Sequence, residues 1–429
     1  MLKFRWETEF KKTEIGEIPK DWEIKKLGDI AEITTGGTPR RNNPLYWNGN
    51  INWLKSQEVA DNYIYDTEEK ITELGQKNSN AKKTYPPGTL IIALYASPTA
   101  GRVALLRTFS TINQALAAIV GENNRFLFFS LIGNRERLLL SASGAAQQNL
   151  NLQIVKDFEI PLPSLPEQSR IATVLSWFDD LIEVKKKQNE ILEKTAMAIF
   201  KSWFIDFEPF RACPEQERGN WEFVYNEDLG RDIPKGWEVD KTTRFIQYNP
   251  SISIRRGEIC PFVEMKDVKS NSLACDFSVK EFNGSGVKYL GGDTLMARIT
   301  PSLEHGKTAF VWFISEKEKG FGSTEFFVLH PKEPYLKEFV YLLAKNEDFR
   351  EVAINSMSGT SGRQRADVNA LKNYLIPIPP PHILQSFHSL VEPLFQKIIL
   401  NQKQIMTLRK IRDTLLPLLV FGKLRVEEI

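Results

Sequence analysis

The sequence is poor in residues that form disulfides or bind metals. Its three cysteines, Cys213, Cys260 and Cys275, are odd in number and show no Cys-x-x-Cys spacing. The four histidines stand beside no acid or cysteine in the spacing of a metal site or a catalytic triad. We therefore expect reduced, structural thiols, and neither a zinc site, a disulfide framework nor a hydrolytic triad.

Long apolar runs and a strong charge of one sign are also missing. No stretch approaches the roughly 20 apolar residues of a membrane-spanning helix, and the start, MLKFRWETEF, carries charges where a signal peptide is apolar. We expect a cytoplasmic protein without a membrane partner. The net charge of +2 is not that of a strongly basic nucleic-acid binder, so any basic surface has to be local.

What the sequence does contain is a long internal repeat. Its 429 residues are enough for two or three domains, and three sets of landmarks occur twice in the same order. They are IPKDWE at 18–23 and IPKGWE at 233–238; Thr89-Leu90 with Ser97, Gly101 and Arg102, against Thr294-Leu295 with Ser302, Gly306 and Lys307; and Ser143-Gly144, Gln147 and IPLP at 160–163, against Ser358-Gly359, Gln364 and IPIP at 376–379.

A repeat of about 200 residues is too long for a solenoid and indicates a duplicated domain. Each copy mixes short alternating apolar runs with glycine, proline and a helical stretch, at 126–141 and 335–353. This pattern is typical of an α+β domain. The copies diverge between the landmarks, which fits one scaffold with two different recognition surfaces. A duplication without any division of function is the alternative.

Each copy ends in a proline-rich hinge followed by a long helical pattern. The apolar residues after each hinge alternate in steps of three and four, which is typical of a coiled-coil seam. A single shift along the chain lays one seam on the other. The predicted seam consists of Val174, Phe178, Leu181, Leu192, Phe387, Val391, Leu394, Ile398, Ile405 and Leu408.

We expect the two helices to pair with each other, because so narrow an apolar seam buries little of a helix that has no partner. Polar Gln188 and Asn401 fall on the seam and are expected to fix its register at some cost in stability. Pro393 and Pro417 predict a local kink or an early end of the second helix. In the alternative, each helix packs separately on its own domain.

Polar loops in both copies carry residue types that suit duplex DNA. Arginine binds guanine in a bidentate manner, asparagine and glutamine bind adenine, and lysine, serine or backbone amides hold phosphate. The same residue types are also common in solvated turns. The candidates are Thr38, Arg40, Arg41, Lys55, Ser97, Arg102, Gln147 and Gln148 in the first copy, and Lys266, Arg298, Ser302, Lys307, Arg363, Gln364 and Arg365 in the second.

Segments spread over the whole chain resemble the specificity subunits of type I restriction-modification systems. They are IGEIPKDWEIKKLGDIAEITTGGTPRRNNPLYWNG, TLIIALYASPTAGRVAL, IPLPSLPEQSRIATVLSWFDDLIE and KTAMAIFKSWFIDFEPF, and the second copy repeats the pattern through IPIPPPHILQ.

This resemblance implies a non-catalytic protein that binds double-stranded DNA with a bipartite target. Each recognition domain would contact one half of the target. The helices would set the gap and dock two methyltransferase subunits, and restriction subunits with motor activity would join for cleavage. No cofactor is expected in this chain, since S-adenosylmethionine, ATP and magnesium would be bound by the partner subunits.

The expected fold class is α+β, with two similar target-recognition domains separated by two long antiparallel helices that form a coiled coil, and with a pseudo-two-fold internal repeat. The predicted limits are 1–160 for the first recognition domain, 161–212 for a central helical spacer, 213–376 for the second recognition domain and 377–429 for a distal helical spacer.

Other functions are weighed against this one. Asn43-Pro44-Leu45-Tyr46 nearly matches the Asn-Pro-Pro-aromatic motif of adenine methyltransferases, but no glycine-rich loop for a methyl donor precedes it. Glu264 and Lys266 match half of a nuclease pair, although no suitable preceding acid is evident and surface charges on a strand explain them as well. A coiled-coil scaffold that binds only protein is the remaining alternative.

Overall fold

The computed structural model describes residues 2–6, 8–95, 99–142, 149–211, 221–360 and 362–428. The chain forms two compact units. The first unit consists of Met1–Ile182 and Thr407–Ile429, and the second of Glu183–Met406. The predicted domain limits are not tested by this division and stay a prediction.

The strands and helices of the first half are short, except for the last helix. The strands are β1 (Leu2–Arg5), β2 (Phe10–Thr13), β3 (Gly16–Pro19), β4 (Glu23–Lys26), β5 (Ala31–Thr35), β6 (Trp47–Leu54), β7 (Asn62–Ile64), β8 (Lys70–Ile71), β9 (Leu90–Ala93), β10 (Val103–Leu106), β11 (Thr111–Ile112), β12 (Leu116–Gly121) and β13 (Glu159–Leu162). The helices are α1 (Leu27–Ile30), α2 (Glu73–Lys77), α3 (Asn124–Gly133), α4 (Arg135–Ser141), α5 (Leu152–Asp157) and α6 (Leu165–Phe204).

The second half repeats this organisation. Its strands are β14 (Phe223–Asn226), β15 (Arg231–Pro234), β16 (Glu238–Lys241), β17 (Ile246–Tyr248), β18 (Ile259–Val263), β19 (Ser278–Glu281), β20 (Val287–Leu290), β21 (Thr294–Ala297), β22 (Thr308–Phe310), β23 (Lys319–Gly322), β24 (Phe326–Pro331), β25 (Leu375–Ile378) and β26 (Arg425–Glu428). Its helices are α7 (Lys337–Lys345), α8 (Glu347–Asn355), α9 (Val368–Lys372) and α10 (Pro381–Val420).

The first unit is built on a five-stranded sheet with the order β5-β12-β9-β10-β7. Strand β9 is buried along its whole length, and its side chains alternate between two cores as the pleat requires. Leu90 and Ile92 belong to the core that also contains Leu175 of α6, whereas Ile91 and Ala93 belong to a smaller core on the other face. This explains why β9 is a continuous apolar run rather than an alternating one.

The second unit contains the same arrangement. Its sheet has the order β17-β24-β21-β22, and these strands correspond in order and antiparallel direction to β5, β12, β9 and β10. A two-stranded sheet of β16 and β25 likewise corresponds to that of β4 and β13. The predicted α+β class and the predicted internal repeat are confirmed.

The two long helices run antiparallel within each unit. In the second unit, Asn401 donates to Gln188 at 3.3 Å, and later in α6 the ring of Phe204 lies 4.8 Å from that of Phe387, which comes earlier in α10. In the first unit, Arg412 donates to Asp179 at 2.6 Å. The predicted pairing of the helices is therefore confirmed. Helix α10 continues through both of its internal prolines to Val420, so the early end that they predict is not seen.

Burial along the helices supports most of the predicted seam and corrects one position. Leu181 is 50% exposed, whereas the neighbouring Ile182 is only 3% exposed. A strict alternation of three and four steps has a period of 3.5 residues, while an α-helix has 3.6 residues per turn and drifts by about 20° in each heptad. The buried face has therefore moved by one residue at this point. Val174, Phe387, Val391, Ile398 and Ile405 are buried, and Phe178, Leu192, Leu394 and Leu408 are half-buried.

The seam is polar in the second unit, where Asn401 is completely buried. Its side-chain nitrogen also donates to Asn189 at 2.9 Å, while its side-chain oxygen has no hydrogen-bond partner among the described residues. A buried amide of this kind favours one register of a helix pair over its neighbours.

A buried ion cluster packs around the IPKDWE landmark of the first unit. Arg425 of β26 donates to Glu167 at the start of α6 and to Asp21, both at 2.7 Å, and Trp22 donates to Glu167 at 3.2 Å. Only 8% of the Arg425 side chain and 5% of the Glu167 side chain are exposed. The hydrogen bond from Arg425 lowers the pKa of Asp21. Strand β1 pairs with β26, and both strands belong to this unit.

An aromatic cluster occupies the corresponding place in the second unit. The ring of Trp237, in the IPKGWE landmark, lies 5.2 Å from Phe210, 5.4 Å from Phe207 and 6.3 Å from Phe204. The indole nitrogen of Trp237 is buried without a hydrogen-bond partner among the described residues. The same landmark is therefore held by charges in one unit and by rings in the other.

Candidate nucleic-acid interface

In the second unit, the loop between β21 and β22 carries three of the predicted residues. The backbone amide of Ala297, at the end of β21, donates to the carbonyl of Lys307 at 3.0 Å, and the amide of Lys307 donates to the carbonyl of Ser302 at 3.0 Å. Gly306 completes the turn with a φ of 68°, a conformation that favours glycine. This loop presents Arg298, Ser302 and Lys307 at one end of the central strand.

The segment 362–366 packs against the same loop. The amide of Ala366 donates to the carbonyl of Arg298 at 2.8 Å, and the amide of Gln364 donates to the side chain of Thr300 at 3.1 Å. Five predicted residues are thereby brought together, namely Arg298, Ser302, Lys307, Gln364 and Arg365. Arg363 lies one residue away, with an exposed side chain.

A carboxylate that the sequence analysis did not single out organises these arginines. Arg365 donates to both carboxylate oxygens of Glu325, with its shortest bonds at 2.9 Å and 2.6 Å, in a bidentate arrangement, which lowers the pKa of Glu325. The guanidinium of Arg298 lies 5.2 Å from the ring of Phe327. A bidentate pair fixes the plane of a guanidinium, so Arg365 is oriented before any ligand binds.

Lys266 lies on a separate turn of the second unit. Its ammonium is 2.6 Å from Glu264, which also pairs with Lys280. Hydrogen bonds from Lys266 and Lys280 lower the pKa of Glu264 to about 2. The turn is connected to the loop after β21, because Lys307 donates to the carbonyl of Met265 at 2.9 Å.

The first unit repeats this framework around Arg102. The amide of Ala93, at the end of β9, donates to the carbonyl of Arg102 at 2.9 Å, as Ala297 does to Lys307. Gly101 before it has a φ of 76°, like Gly306. Arg102 and Lys307 therefore occupy the same place in the two units, and both are cationic.

Arg41 and Lys55 form a second group in the first unit. The guanidinium of Arg41 stacks 4.0 Å from the ring of Trp47 and pairs with Glu69. Lys55 donates to Glu69 at 3.0 Å and to Glu68 at 2.9 Å. Burial alone would lower the pKa of Lys55, but the hydrogen bonds to these two carboxylates outweigh it and raise the pKa.

The remaining predictions for the first unit differ in their surroundings. Thr38 donates to the side chain of Gln114, and the carbonyl of Arg40 accepts from the indole of Trp47 at 3.2 Å while its side chain is exposed. Ser97, Gln147 and Gln148 lie outside the described residues. DNA contact by any of the predicted residues stays a prediction.

The partners of these cations were not foreseen. Glu68, Glu69 and Glu325 each pair with a predicted residue, yet the sequence gives no sign of it, because pairing partners such as Arg365 and Glu325 are 40 residues apart.

The segment that nearly matches a methyltransferase motif forms a capped turn. The side chain of Asn43 accepts a hydrogen bond from the amide of Leu45 at 3.1 Å and so caps the turn Pro44–Tyr46. Within the described ranges, no three histidine, cysteine or acidic side chains cluster as metal ligands would. Among those same residues, no helix has the length and apolar character needed to cross a membrane.

Comparison with known proteins agrees with this architecture. Residues 19–194 match the family described as type I restriction modification DNA specificity domain. The MjaIX specificity subunit of a type I restriction enzyme from Methanocaldococcus jannaschii is 39% identical to this chain, over 100% of this chain and 99% of the relative. A putative type I restriction enzyme MjaX specificity subunit from the same organism is 26% identical over the same shares.

A solved structure shows the same fold. The S subunit of a type I restriction-modification system from M. genitalium superposes with a TM-score of 0.52 and 16% sequence identity, covering 93% of this chain and 96% of that one. The repeat, the paired helices and the full-length similarity lead to one conclusion. This chain belongs to the family of type I restriction enzyme specificity subunits, the DNA-recognition and non-catalytic components of those enzymes.

Proposed function

We propose that each recognition domain of this chain reads one half of a bipartite duplex DNA target. The observation that carries the proposal is the repeated framework with different side chains on it. Arg102 and Lys307 occupy the same backbone position, whereas other polar groups of the two units differ. Arg41 pairs with Glu69 and stacks on Trp47 in the first unit, and Arg365 pairs with Glu325 in the second. One scaffold that presents two different surfaces fits the recognition of two different half-sites.

We further propose that the paired helices set the gap between the half-sites. A helix of 40 residues is about 60 Å long at 1.5 Å per residue, which is roughly the length of 17 base pairs of duplex at 3.4 Å per step. One to two turns of DNA can therefore lie between the two recognised segments.

The helices also offer docking surfaces for the expected partners, two methyltransferase subunits and, for cleavage, restriction subunits. Helix α6 exposes Trp177 and Leu181 in the first unit and Val184 and Ile191 in the second. Large apolar side chains exposed on a helix favour contact with another protein. In this assembly S-adenosylmethionine, ATP and magnesium are bound by the partners, and the complex acts on DNA in the cytoplasm.

The direct test is to co-express the chain with its methyltransferase subunit in a host without other DNA methylation and to sequence the methylome. A single bipartite motif with a fixed gap is expected. The variant Arg363→Ala is expected to weaken or relax only one half of that motif, because its exposed side chain belongs to one recognition surface. A motif without a gap, or an Arg363 variant that changes both halves equally, would contradict the proposal.

A further inference from the structure

The two recognition domains share a short turn that the sequence landmarks do not include. In the first domain β6 pairs in parallel with β11, and Leu54 lies opposite Ile112. In the second domain β18 pairs in parallel with β23, and Val263 lies opposite Gly322. The residues that follow, 55–58 and 264–267, form what we call the strand-end turn.

The backbone hydrogen bonds of the strand-end turn are the same in both domains. The amide of Lys55 donates to the carboxylate of Glu58 at 2.9 Å, and the amide of Glu264 donates to the carboxylate of Asp267 at 2.8 Å. Just before the turn, the carbonyls of Leu54 and Val263 each accept a bond of 3.0 Å from the neighbouring segment, from Asn113 and Ser323 respectively. Lys55 and Glu264 therefore occupy one and the same framework position.

The charges at this position are inverted between the domains. Lys55 stands between two acids, Glu68 and Glu69, whereas Glu264 stands between two bases, Lys266 and Lys280. The hydrogen bonds from these lysines keep the pKa of Glu264 near 2, so its carboxylate is ionised at neutral pH. The framework is retained while its hydrogen-bonding character changes from donor to acceptor.

Glu264 is accessible to a ligand. It lines an open groove of about 550 Å³, together with Lys266, Lys280, Glu281, Ser323 and Thr324, and 30% of its side chain is exposed. The groove contains as many acids as lysines among these residues, which does not suit a site for phosphate alone. It suits a surface on which the lysines reach the DNA backbone and the carboxylate faces a base edge.

An ionised carboxylate accepts hydrogen bonds and cannot donate them. In the major groove, cytosine presents an amino donor at N4 and adenine one at N6, while guanine and thymine present carbonyl oxygens at the corresponding place. A carboxylate therefore attracts the first two and repels the others. Acceptance from cytosine N4 is the usual base contact of glutamate.

We propose that Glu264 selects an amino-bearing base, cytosine foremost, in the half-site that the second domain reads, and that the position it shares with Lys55 determines specificity in both domains. The inference rests on the proposed function, since it needs each domain to contact its own half-site.

The test compares the wild-type complex with its methyltransferase partner to the complex with Glu264→Gln. Binding is measured on a panel of duplexes in which each base pair of both half-sites is replaced in turn. For the wild type, one cytosine or adenine of one half-site is expected not to tolerate guanine or thymine in its place without a loss of about tenfold or more in affinity. Because glutamine both donates and accepts, the variant is expected to lose most of this discrimination at that position only.

The groove supplies a matched control in Glu281→Gln, which removes an acid from the same surface outside the strand-end turn and is expected to leave every preference unchanged. Glu264→Asp keeps the carboxylate and is therefore expected to keep the base preference while binding DNA more weakly. It serves as the test if the Glu264→Gln variant does not assemble with its partner. Lys55→Gln is expected to change one position of the other half-site.

The possible outcomes distinguish a failure of the proposed function from a failure of the role assigned to Glu264. A wild-type complex without a bipartite preference would contradict the proposed function itself. A bipartite preference that Glu264→Gln leaves unchanged at every position, or weakens evenly in both half-sites, would leave the proposed function intact and overturn the assignment of Glu264. Loss of the base preference in Glu264→Asp would overturn it as well.

Discussion

The two units hold the same sequence landmark in different ways. Around Trp22 the first unit gathers the charges of Arg425, Glu167 and Asp21, whereas around Trp237 the second unit gathers aromatic rings. The difference shows that a duplicated fold retains the backbone position of a tryptophan without retaining the chemistry that stabilises it. It also allows an experiment to distinguish the stability of the two units, because aromatic clusters and ion clusters respond differently to side-chain truncation, to a change of polarity and to pH.

The largest effect is expected from removing Phe387, whose ring packs against Phe204 of the aromatic cluster. Phe387 is fully buried and contacts Phe204 at 4.8 Å between ring centres. Phe387→Ala is expected to destabilise the second unit by about 4 kcal/mol through lost burial and the cavity left behind. Hydrogen exchange of peptides from each unit measures this, with Leu390→Ala, at a 49% exposed position of the same helix, as the control. Equal loss of protection in both units would contradict the expectation that each unit is stabilised by its own cluster of side chains.

A slightly smaller effect is expected from the ion cluster. Arg425→Met leaves the buried carboxylate of Glu167 without its charged partner and is expected to cost the first unit about 3 kcal/mol. The double variant Arg425→Met, Glu167→Met is expected to recover most of this loss, since it removes the uncompensated charge. Denaturant unfolding measures both. Arg5→Met, which breaks an ion pair at the surface, is expected to change the stability by less than about 0.5 kcal/mol.

Replacing the buried polar residue of the seam is expected to increase stability, in contrast to the two changes above. Asn401 is buried and its side-chain oxygen has no partner among the described residues. Asn401→Leu is therefore expected to stabilise the second unit by about 1 kcal/mol, because burying an unsatisfied polar group is costly. A thermal unfolding curve measures the gain. Gln404→Leu, at an exposed position of α10, is expected to give none.

The smallest expected effect is a dependence on pH at the ion cluster of the first unit. Arg425 lowers the pKa of Asp21 by donating hydrogen bonds to it, so this contact contributes stability above the ordinary aspartate pKa of about 4 and loses it as the pH falls through the lowered value. Asp21 is largely exposed, which limits the contribution to well under about 1 kcal/mol. Hydrogen exchange of β26 at pH 3 and pH 6, compared with Asp21→Asn, measures it; an equal response in the variant would contradict the assignment.

The fold was largely accessible from sequence, and the contacts of the candidate site were not. The repeat and the long helices follow from landmarks and apolar spacing, which are local properties of the chain. Leu181 was misplaced because a seam of constant 3.5-residue spacing ignores the rotation of an α-helix. The bonds from Arg365 to Glu325 and from Lys55 to Glu69 depend on which loops the sheets bring together, and no local pattern encodes that. The shared position of Lys55 and Glu264 depends on the parallel pairing of the strands before them, which none of the sequence landmarks encodes.

The membership of Thr407–Ile429 in the first unit has a consequence for how the protein is made. A chain growing on a ribosome usually completes its N-terminal domain first, but here the strand that pairs with β1 is synthesised only after the whole second unit. The second unit can finish folding while the first still lacks β26. A stop codon shortly before Arg425 would therefore damage the first unit and spare the second.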